Sequence, residues 1–146
     1  MNYAAWPIHI LIGGLLVSAG TDLMYQRIPN VITFTVWAAG TFYQYLNYGY
    51  RGLLDGELAV LLIFLAGIVI FLLGLFGAGD IKLLMAVSVY FGLGHLISLL
   101  FSIFLFGSVF GAIRSFRNQS NFLRTQIEFA VPVMAGTLLN LLFFTK

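Results

Sequence analysis

The chain has 146 residues, of which 61% are hydrophobic and 8% charged, whereas a soluble domain carries roughly 25% charged residues. This composition excludes a water-soluble globule and predicts an integral membrane protein. It forms one domain over residues 1–146, with no room for a separate soluble part. The few basic residues are dispersed along the chain, a pattern that indicates a role in setting membrane topology and not a nucleic-acid-binding surface. The chain has no cysteine, and His9 and His95 lie far apart, so no metal or other cofactor is expected.

Six apolar runs follow one another along the chain. Each is expected to be a helix, because a chain in lipid must satisfy its backbone hydrogen bonds internally. The predicted fold class is therefore an all-α polytopic membrane protein. The predicted spans are residues 4–21, 31–48, 58–76, 81–91, 96–113 and 129–144. The first run could be a cleaved signal peptide, but it lacks the basic segment that such a peptide needs.

The fourth run is short, since about 11 residues cover only about 17 Å of a hydrocarbon core about 30 Å thick. The alternative joins it to the fifth run as one long helix through residues 92–95. With six spans, Arg27, Lys82 and the three arginines of residues 114–124 all lie on one side. With five, this asymmetry largely disappears. The positive-inside rule therefore predicts six spans, with both termini outside the cytoplasm.

Gly107 and Gly111 lie four residues apart in the fifth run, a spacing that lets membrane helices approach closely. It predicts packing of one helix against another and leaves a homodimer open. The loop that follows, residues 114–128, is basic with interspersed phenylalanines. It is expected to lie along the anionic inner leaflet of the lipid bilayer.

Asp22 and Asp80 are the acidic residues that a membrane topology explains least well. Asp55 and Glu57 fall in a predicted outer loop and Glu128 flanks the last span, so water or headgroups can solvate them. Asp22 follows the first span directly, and Asp80 lies in the short break before the fourth. An ionisable group at membrane depth is by default a candidate functional residue. Because two intervening spans return the chain to the same membrane face, these two carboxyls can meet.

Two close carboxyls cannot easily both ionise, so the pair is expected to share a proton and titrate as a unit. One carboxylate can then take a proton from water while its protonated partner hydrogen-bonds a scissile carbonyl, as in aspartic proteases. Gly77 and Gly79 would permit unusual backbone conformations and close approach of a substrate strand. The alternative interpretation is structural, with residues 77–80 as a capped turn and Asp22 as a polar helix end.

Two segments carry a family resemblance. The sequence GAGDIKLL at residues 77–84 resembles the GxGD motif of the type IV prepilin peptidases. The sequence DLMYQRIPN at residues 22–30 resembles the first-aspartate segment of the same family. Presenilins and signal peptide peptidases share GxGD, but their other motifs are missing. The resemblance fades towards the last span.

The resemblance implies a membrane-embedded aspartic endopeptidase in which Asp22 and Asp80 are the catalytic pair and Gly77 and Gly79 shape the active-site loop. Its implied substrate is a type IV prepilin or pseudopilin, whose leader is removed at the cytoplasmic face of a bacterial inner membrane. The chain length resembles the short branch that serves Flp-type pilins in tight-adherence systems. Larger relatives also N-methylate the new pilin terminus and carry a segment with paired cysteines. That segment is absent, so peptidase activity without methylation is expected.

Four residues beside the motifs have expected secondary roles. Lys82 and Arg27 are candidates for contact with the substrate or with lipid headgroups. On a helix Lys82 points about 200° away from Asp80, so a direct ion pair between them is not expected. Pro29 and Asn30 are expected to fix the turn into the second span.

Two functions of other classes also fit the composition. In a proton-coupled small transporter the same aspartates would carry protons. Such a protein should show polar sites at mid-membrane and inverted repeats, and neither is visible in this sequence. A non-catalytic subunit of a pilus or secretion assembly would pack through Gly107 and Gly111, but it would leave the two paired motifs unexplained.

Overall fold

The computed structural model describes residues 6–25, 27–118 and 129–144, and helices account for nearly all of them. In chain order the helices are α1 (Trp6–Tyr25), α2 (Asn30–Leu72), α3 (Ala78–Asn118) and α4 (Ala130–Phe144). No β-strand occurs within these three ranges. The all-α fold class predicted from the apolar runs is therefore confirmed.

Gly49 divides α2 into two halves. Its φ of 65° and ψ of −152° are non-helical, in a region that glycine enters far more readily than other residues. Thr41 Oγ1 donates a hydrogen bond to Oε1 of Glu57 at 2.6 Å, although in one straight helix these residues would lie about 24 Å apart. The second half of α2, residues 50–72, therefore runs back along the first half, residues 30–48.

Gly92 divides α3 in the same way, with φ of 59° and ψ of −171°. The rings of Phe76, just before α3, and Phe104, in its second half, stack with their centroids 6.2 Å apart. One straight helix would separate these two residues by about 40 Å. The second half of α3, residues 93–118, therefore returns along the first half, residues 78–91.

Polar side chains of α2 bind the backbone at the reversal in α3. Gln44 Nε2 donates to the carbonyl oxygens of Val89 and Tyr90 at 2.8 and 3.2 Å. The N–H of Leu93 donates to Oδ2 of Asp55 at 3.1 Å. Gln44 thus satisfies carbonyls at the end of one half, and Asp55 satisfies an N–H at the start of the other.

The predicted count of six spans is not supported. The part of the chain that the structure describes forms four helices, of which α1, α2 and α3 are long and apolar enough to cross a membrane, by length and composition. The fourth, α4, is a shorter apolar helix.

Helix boundaries also differ from the predicted ones, because each reversal of the chain takes only one non-helical glycine residue. Residues 49–57 are not a loop, because Gly49 alone reverses the chain and the helix continues from residue 50. Asp55 and Glu57 therefore lie in α2. The run 58–76 ends as a helix at Leu72, and the break predicted at 92–95 is confined to Gly92. Residues 119–128 of the predicted basic loop lie outside the described residues.

The helices bury an apolar core and expose an apolar exterior. Leu11 and Leu15 of α1 and Leu83 of α3 are fully buried. On the outer faces Leu72 is 77% exposed and Ile97 82% exposed, together with many other large apolar side chains. Soluble monomers rarely expose apolar patches of this extent. The exterior is therefore suited to contact with lipid tails.

A buried polar network attaches α4 to the second half of α3. Asn140 Nδ2 donates to Ser102 Oγ at 2.8 Å, and Ser98 Oγ donates to Oδ1 of Asn140 at 2.9 Å. Hydrogen bonds of this kind hold helices together in an apolar environment, where the hydrophobic effect contributes little to helix association.

Small residues allow the same two helices to approach closely. At Gly136 of α4, a Cβ would lie only 2.7 Å from the backbone nitrogen of Ile103. At Gly107, the first residue of the predicted small-residue pair, a Cβ would lie 3.8 Å from Cβ of Pro132 in α4. Gly107 therefore packs against a helix of its own chain.

Candidate active site

Asp22 lies in the last turn of α1 and is almost fully buried, with 7% of its surface exposed. The prediction that Asp22 comes directly after the first helix is wrong, because α1 continues to Tyr25 and includes Asp22. The backbone N–H of Ala130, the first residue of α4, donates to Oδ2 of Asp22 at 3.1 Å. A buried carboxylate requires such donors, and this one comes from the positive end of a helix.

Asp80 lies in the first turn of α3 and is partly buried. Its Oδ2 accepts a hydrogen bond from the N–H of Gly77 at 3.0 Å, and its own N–H donates to the carbonyl oxygen of Gly77 at 3.1 Å. This reciprocal pair resembles a capping box. It both begins the helix and directs the carboxyl towards the loop that joins α2 to α3.

Asp22 is bonded to the start of α4, and Phe129, just before α4, packs on Phe76, just before α3, with ring centroids 4.3 Å apart. This packing brings Asp22 and Asp80 to the same end of the helices, where the charge of Asp22 acts on Asp80. The site is thus assembled from the end of α1, the start of α3 and the start of α4. Adjacent carboxyls can share one proton. In that state one of them can activate water while the other polarises a carbonyl.

Gly77 and Gly79 lie in the loop before α3 and in its first turn, and the expectation of unusual backbone conformations is wrong at both. Among the glycines that the structure describes, those with positive φ are Gly49, Gly74 and Gly92. A Cβ at Gly77 would come within 3.2 Å of Oδ2 of Asp80, and one at Gly79 would lie 3.5 Å from Ile28. Gly77 therefore leaves room for the Asp80 carboxyl, whereas a Cβ at Gly79 would make only an ordinary van der Waals contact with the connection between α1 and α2.

That connection carries the other predicted residues. Arg27 is exposed. Pro29 has extended dihedrals (φ −64°, ψ 130°) and directly precedes α2, where its carbonyl oxygen accepts the N–H of Ile32 at 3.1 Å. Asn30 begins α2, and its Oδ1 accepts a hydrogen bond from Nζ of Lys82 at 3.0 Å. Lys82 thus joins the start of α3 to the start of α2.

Two residues that take part in hydrogen bonds of this region, Ala130 and Glu57, are not predicted from the sequence. Ala130 acts through its backbone N–H, which no side-chain pattern reveals. Glu57 was assigned to an outer loop, yet its Oε1 and Oε2 accept hydrogen bonds from Thr41 Oγ1 at 2.6 Å and Trp37 Nε1 at 3.4 Å. The signal that could have found it is the spacing of Trp37 and Thr41. Four residues apart, they present two donors on one helix face.

A cavity of about 370 Å³ lies between the two halves of α2 and the first half of α3. We call it the Glu57 groove. It is lined by Asn30, Thr33, Phe34, Trp37, Glu57, Val60, Lys82, Met85 and Ala86. Within the described ranges no three His, Cys, Asp or Glu side chains come together as metal ligands would.

The fold and the site define a helical protein suited to a membrane, with one buried and one partly buried aspartate at the same end. Residues 9–116 match the sequence profile of the type IV leader peptidase family. Because this match covers most of the chain and includes both aspartates, the chain belongs to the type IV leader peptidase family. The predicted relationship to the type IV prepilin peptidases is thereby confirmed at the level of the family. No curated protein and no solved structure was found to match the chain.

Proposed function

We propose that this protein is an aspartic endopeptidase in which Asp22 and Asp80 activate water. The observation that carries the proposal is that the packing of Phe129 on Phe76 brings Asp22 and Asp80 into one site in a chain of a peptidase family. One carboxylate takes a proton from water, and the protonated partner donates to the oxygen of the scissile carbonyl. The water oxygen bonds to the carbonyl carbon. The C–N bond then breaks as the leaving nitrogen takes a proton from the carboxyl pair.

The proposed substrate is the leader-bearing precursor of an Flp-like type IV prepilin or pseudopilin. Family membership supports a leader peptide as the part removed. N-methylation of the product is not part of the proposal.

For the membrane topology we propose six crossings, by α1, α4 and each half of α2 and α3. The reversals at Gly49 and Gly92 support this arrangement, because a straight α2 would be about 65 Å long against a hydrocarbon core of about 30 Å. Arg27 and Lys82 stand at the end that carries the aspartates. The positive-inside rule then directs that end to the cytoplasm, at the inner membrane of a bacterium.

Arg27 and Lys82 are proposed to contact the substrate or the lipid headgroups beside the site. The exposure of both side chains supports this role. The hydrogen bond from Lys82 to Asn30 holds the ammonium at one end of the Glu57 groove. Pro29 and Asn30 are proposed to fix the entry into α2, and thereby the position of this bond.

The test of the function replaces one carboxyl at a time. Asp22→Asn and Asp80→Asn preserve size but remove the ability to exchange a proton with water, so each is expected to abolish cleavage. Each variant is produced in cells that make an Flp-like prepilin. Processing is read as a mobility shift, and the new N-terminus is identified by mass spectrometry. Complete processing by either variant would contradict the proposal.

Asp55→Asn is the matched control. It makes the same substitution at the reversal in α3, where the amide oxygen can still accept the N–H of Leu93. This variant is expected to cleave at the rate of the unsubstituted protein. Membrane levels of all three variants are compared by an epitope tag, so that loss of chemistry is separated from loss of protein.

A further inference from the structure

The Glu57 groove is separate from the carboxyl pair and has two chemically different ends. Lys82 and Asn30 line one end, which we call its mouth, and Glu57 and Trp37 line the other. Asn30 and Trp37 are about two helical turns, or about 10 Å, apart along the first half of α2. The walls between them are mainly apolar. A ligand of this groove therefore meets a cation at the mouth and a carboxyl group at the other end.

Glu57 is a costly residue in such a place, because an ionisable group among apolar walls loses its hydration. The hydrogen bonds from Thr41 and Trp37 offset part of that loss. A carboxylate has about four acceptor positions, so these two donors leave acceptor capacity for a third group. A neutral side chain could tie the two halves of α2 together, whereas a carboxylate also favours a donor or cation from an occupant.

The groove is lined in part by Lys82, near the start of α3, where Asp80 also lies. Lys82 follows Asp80 by two positions, which places their Cα atoms about 5 Å apart in a helix. An extended peptide advances about 3.3 Å per residue. A polypeptide held at the carboxyl pair can therefore reach the mouth of the groove within a few residues.

We propose that the Glu57 groove holds the apolar segment of the substrate that follows the cleaved bond, with a hydroxyl or amino group of that segment bonded to Glu57. This inference rests on the proposed function. The Glu57 carboxylate decides between two possible occupants. A lipid acyl chain fits the apolar walls but offers no hydrogen-bond donor to this carboxylate. A peptide segment supplies both apolar side chains and a donor. Glu57 thereby becomes a residue that determines specificity.

The first experiment measures discrimination between substrates. Each position in the first three helical turns after the cleaved bond of an Flp-like prepilin is replaced in turn by lysine, serine or leucine. Cleavage of each precursor is compared with that of the parent in the same membranes. At one position the lysine or serine precursor is expected to be cut about tenfold faster than the leucine precursor, since hydrogen bonds to charged groups are among the stronger ones.

Glu57→Gln is expected to remove this preference while the parent precursor is still cut. Asp55→Asn, its matched control at the reversal in α3, is expected to retain the preference. A preference that Glu57→Gln leaves unchanged, or the absence of any preferred position, overturns the inference and leaves the proposed function standing. If the unsubstituted chain cuts no precursor at all, the proposed function and the inference fail together.

The second experiment tests occupancy directly. The chain has no cysteine, so Met85→Cys places a single thiol in the groove. An Asp80→Asn background keeps the precursor whole, and the precursor carries one cysteine at the preferred position. Oxidation is expected to link Met85→Cys to the precursor but not Ile97→Cys, whose position on α3 is 82% exposed and does not line the groove. Equal yields, or no link at either position, overturn the inference.

Discussion

Single glycine residues make both reversals of the chain, and their surroundings differ. Gly49 and Gly92 have φ of 65° and 59°, where a side chain costs roughly 1–2 kcal/mol. Nothing lies within 4 Å of a Cβ built at Gly49, whereas one at Gly92 would collide with Oδ2 of Asp55. A side chain at Gly92 therefore adds a collision to the backbone strain, and it also disturbs the carboxylate that binds Leu93.

Gly92→Ala is expected to lower the free energy of unfolding by at least about 1–2 kcal/mol, from the left-handed φ alone. Thermal unfolding of the detergent-solubilised protein measures the effect. Gly94→Ala is the matched control, because a Cβ there meets nothing within 4 Å and alanine is the better helix former. Equal stability of the two variants would show that the backbone at Gly92 is not under the constraint described.

The backbone N–H of Ala130, at the start of the last helix, donates a hydrogen bond to Asp22. Ala130→Pro removes this N–H at the first position of α4, where helices tolerate proline. The kcat for prepilin cleavage is expected to fall about tenfold or more, because a hydrogen bond to a charged group is lost. KM is expected to change little.

Ala130→Gly keeps the N–H and serves as the control for loss of the methyl group. It is expected to retain most of the activity, with thermal unfolding confirming that both variants are folded. If the proline and glycine variants cleave equally fast, the hydrogen bond to Asp22 has no catalytic importance.

At the scale of the elements, α4 depends on polar contacts with α3. Asn140→Leu keeps the branched shape of the side chain but removes the hydrogen bonds to Ser98 and Ser102. It is expected to lower the free energy of unfolding by about 1–2 kcal/mol, measured by thermal unfolding in detergent. Ser108→Ala is the control, since its hydroxyl bonds only a carbonyl of its own helix among the contacts described. A loss equal to that of Ser108→Ala would contradict the role of the network.

The apolar runs predict helices well, because lipid-exposed helices need no polar face and every run must satisfy its own backbone. The same uniform apolarity hides the helix ends. Residues 49–57 contain three charged side chains and have the composition of a loop. Asp55 and Glu57 nevertheless lie in a helix, because Leu93 and Thr41 supply hydrogen bonds to them from distant parts of the chain. Such partners are set by the three-dimensional packing and lie outside residues 49–57 in the sequence.

In the candidate site, too, some residues could be predicted from the sequence and others could not. Asp22 and Asp80 could be predicted because carboxyls stand out at the ends of apolar helices, and both are followed by family motifs. The donor to Asp22 could not be predicted, since a backbone N–H has no sequence signature and Ala130 lies 108 residues further along the chain. Its importance emerges only when the start of α4 packs beside the end of α1.

At the scale of the whole molecule, the two ends of the helices are built differently. The end with the aspartates carries the connection at residues 27–29 and the loop at residues 73–77. The other end carries the reversals at Gly49 and Gly92. Access for an extended peptide is therefore expected at the aspartate end, where irregular backbone surrounds the site.

The proposed six crossings make a prediction for chemical labelling, which the absence of cysteine keeps free of background. Arg27→Cys and Leu75→Cys are expected to react with a membrane-impermeant maleimide only after the cytoplasmic face is opened. Arg51→Cys is expected to react from outside intact cells. A single crossing by α2 would instead place Arg27→Cys and Leu75→Cys on opposite faces, and that labelling pattern would contradict the proposed topology.

The one-residue reversals also govern how the chain enters the bilayer during synthesis. If the two halves of α2 inserted separately, a polar loop between them would have to remain in water after the first insertion. A turn made by Gly49 alone provides no such loop. The two halves of α2 share the hydrogen bonds of Glu57 with Thr41 and Trp37, and those bonds shield the carboxyl group from lipid only when both halves are present. The halves are therefore expected to insert together as a helical hairpin, with Arg51 carried across at its tip.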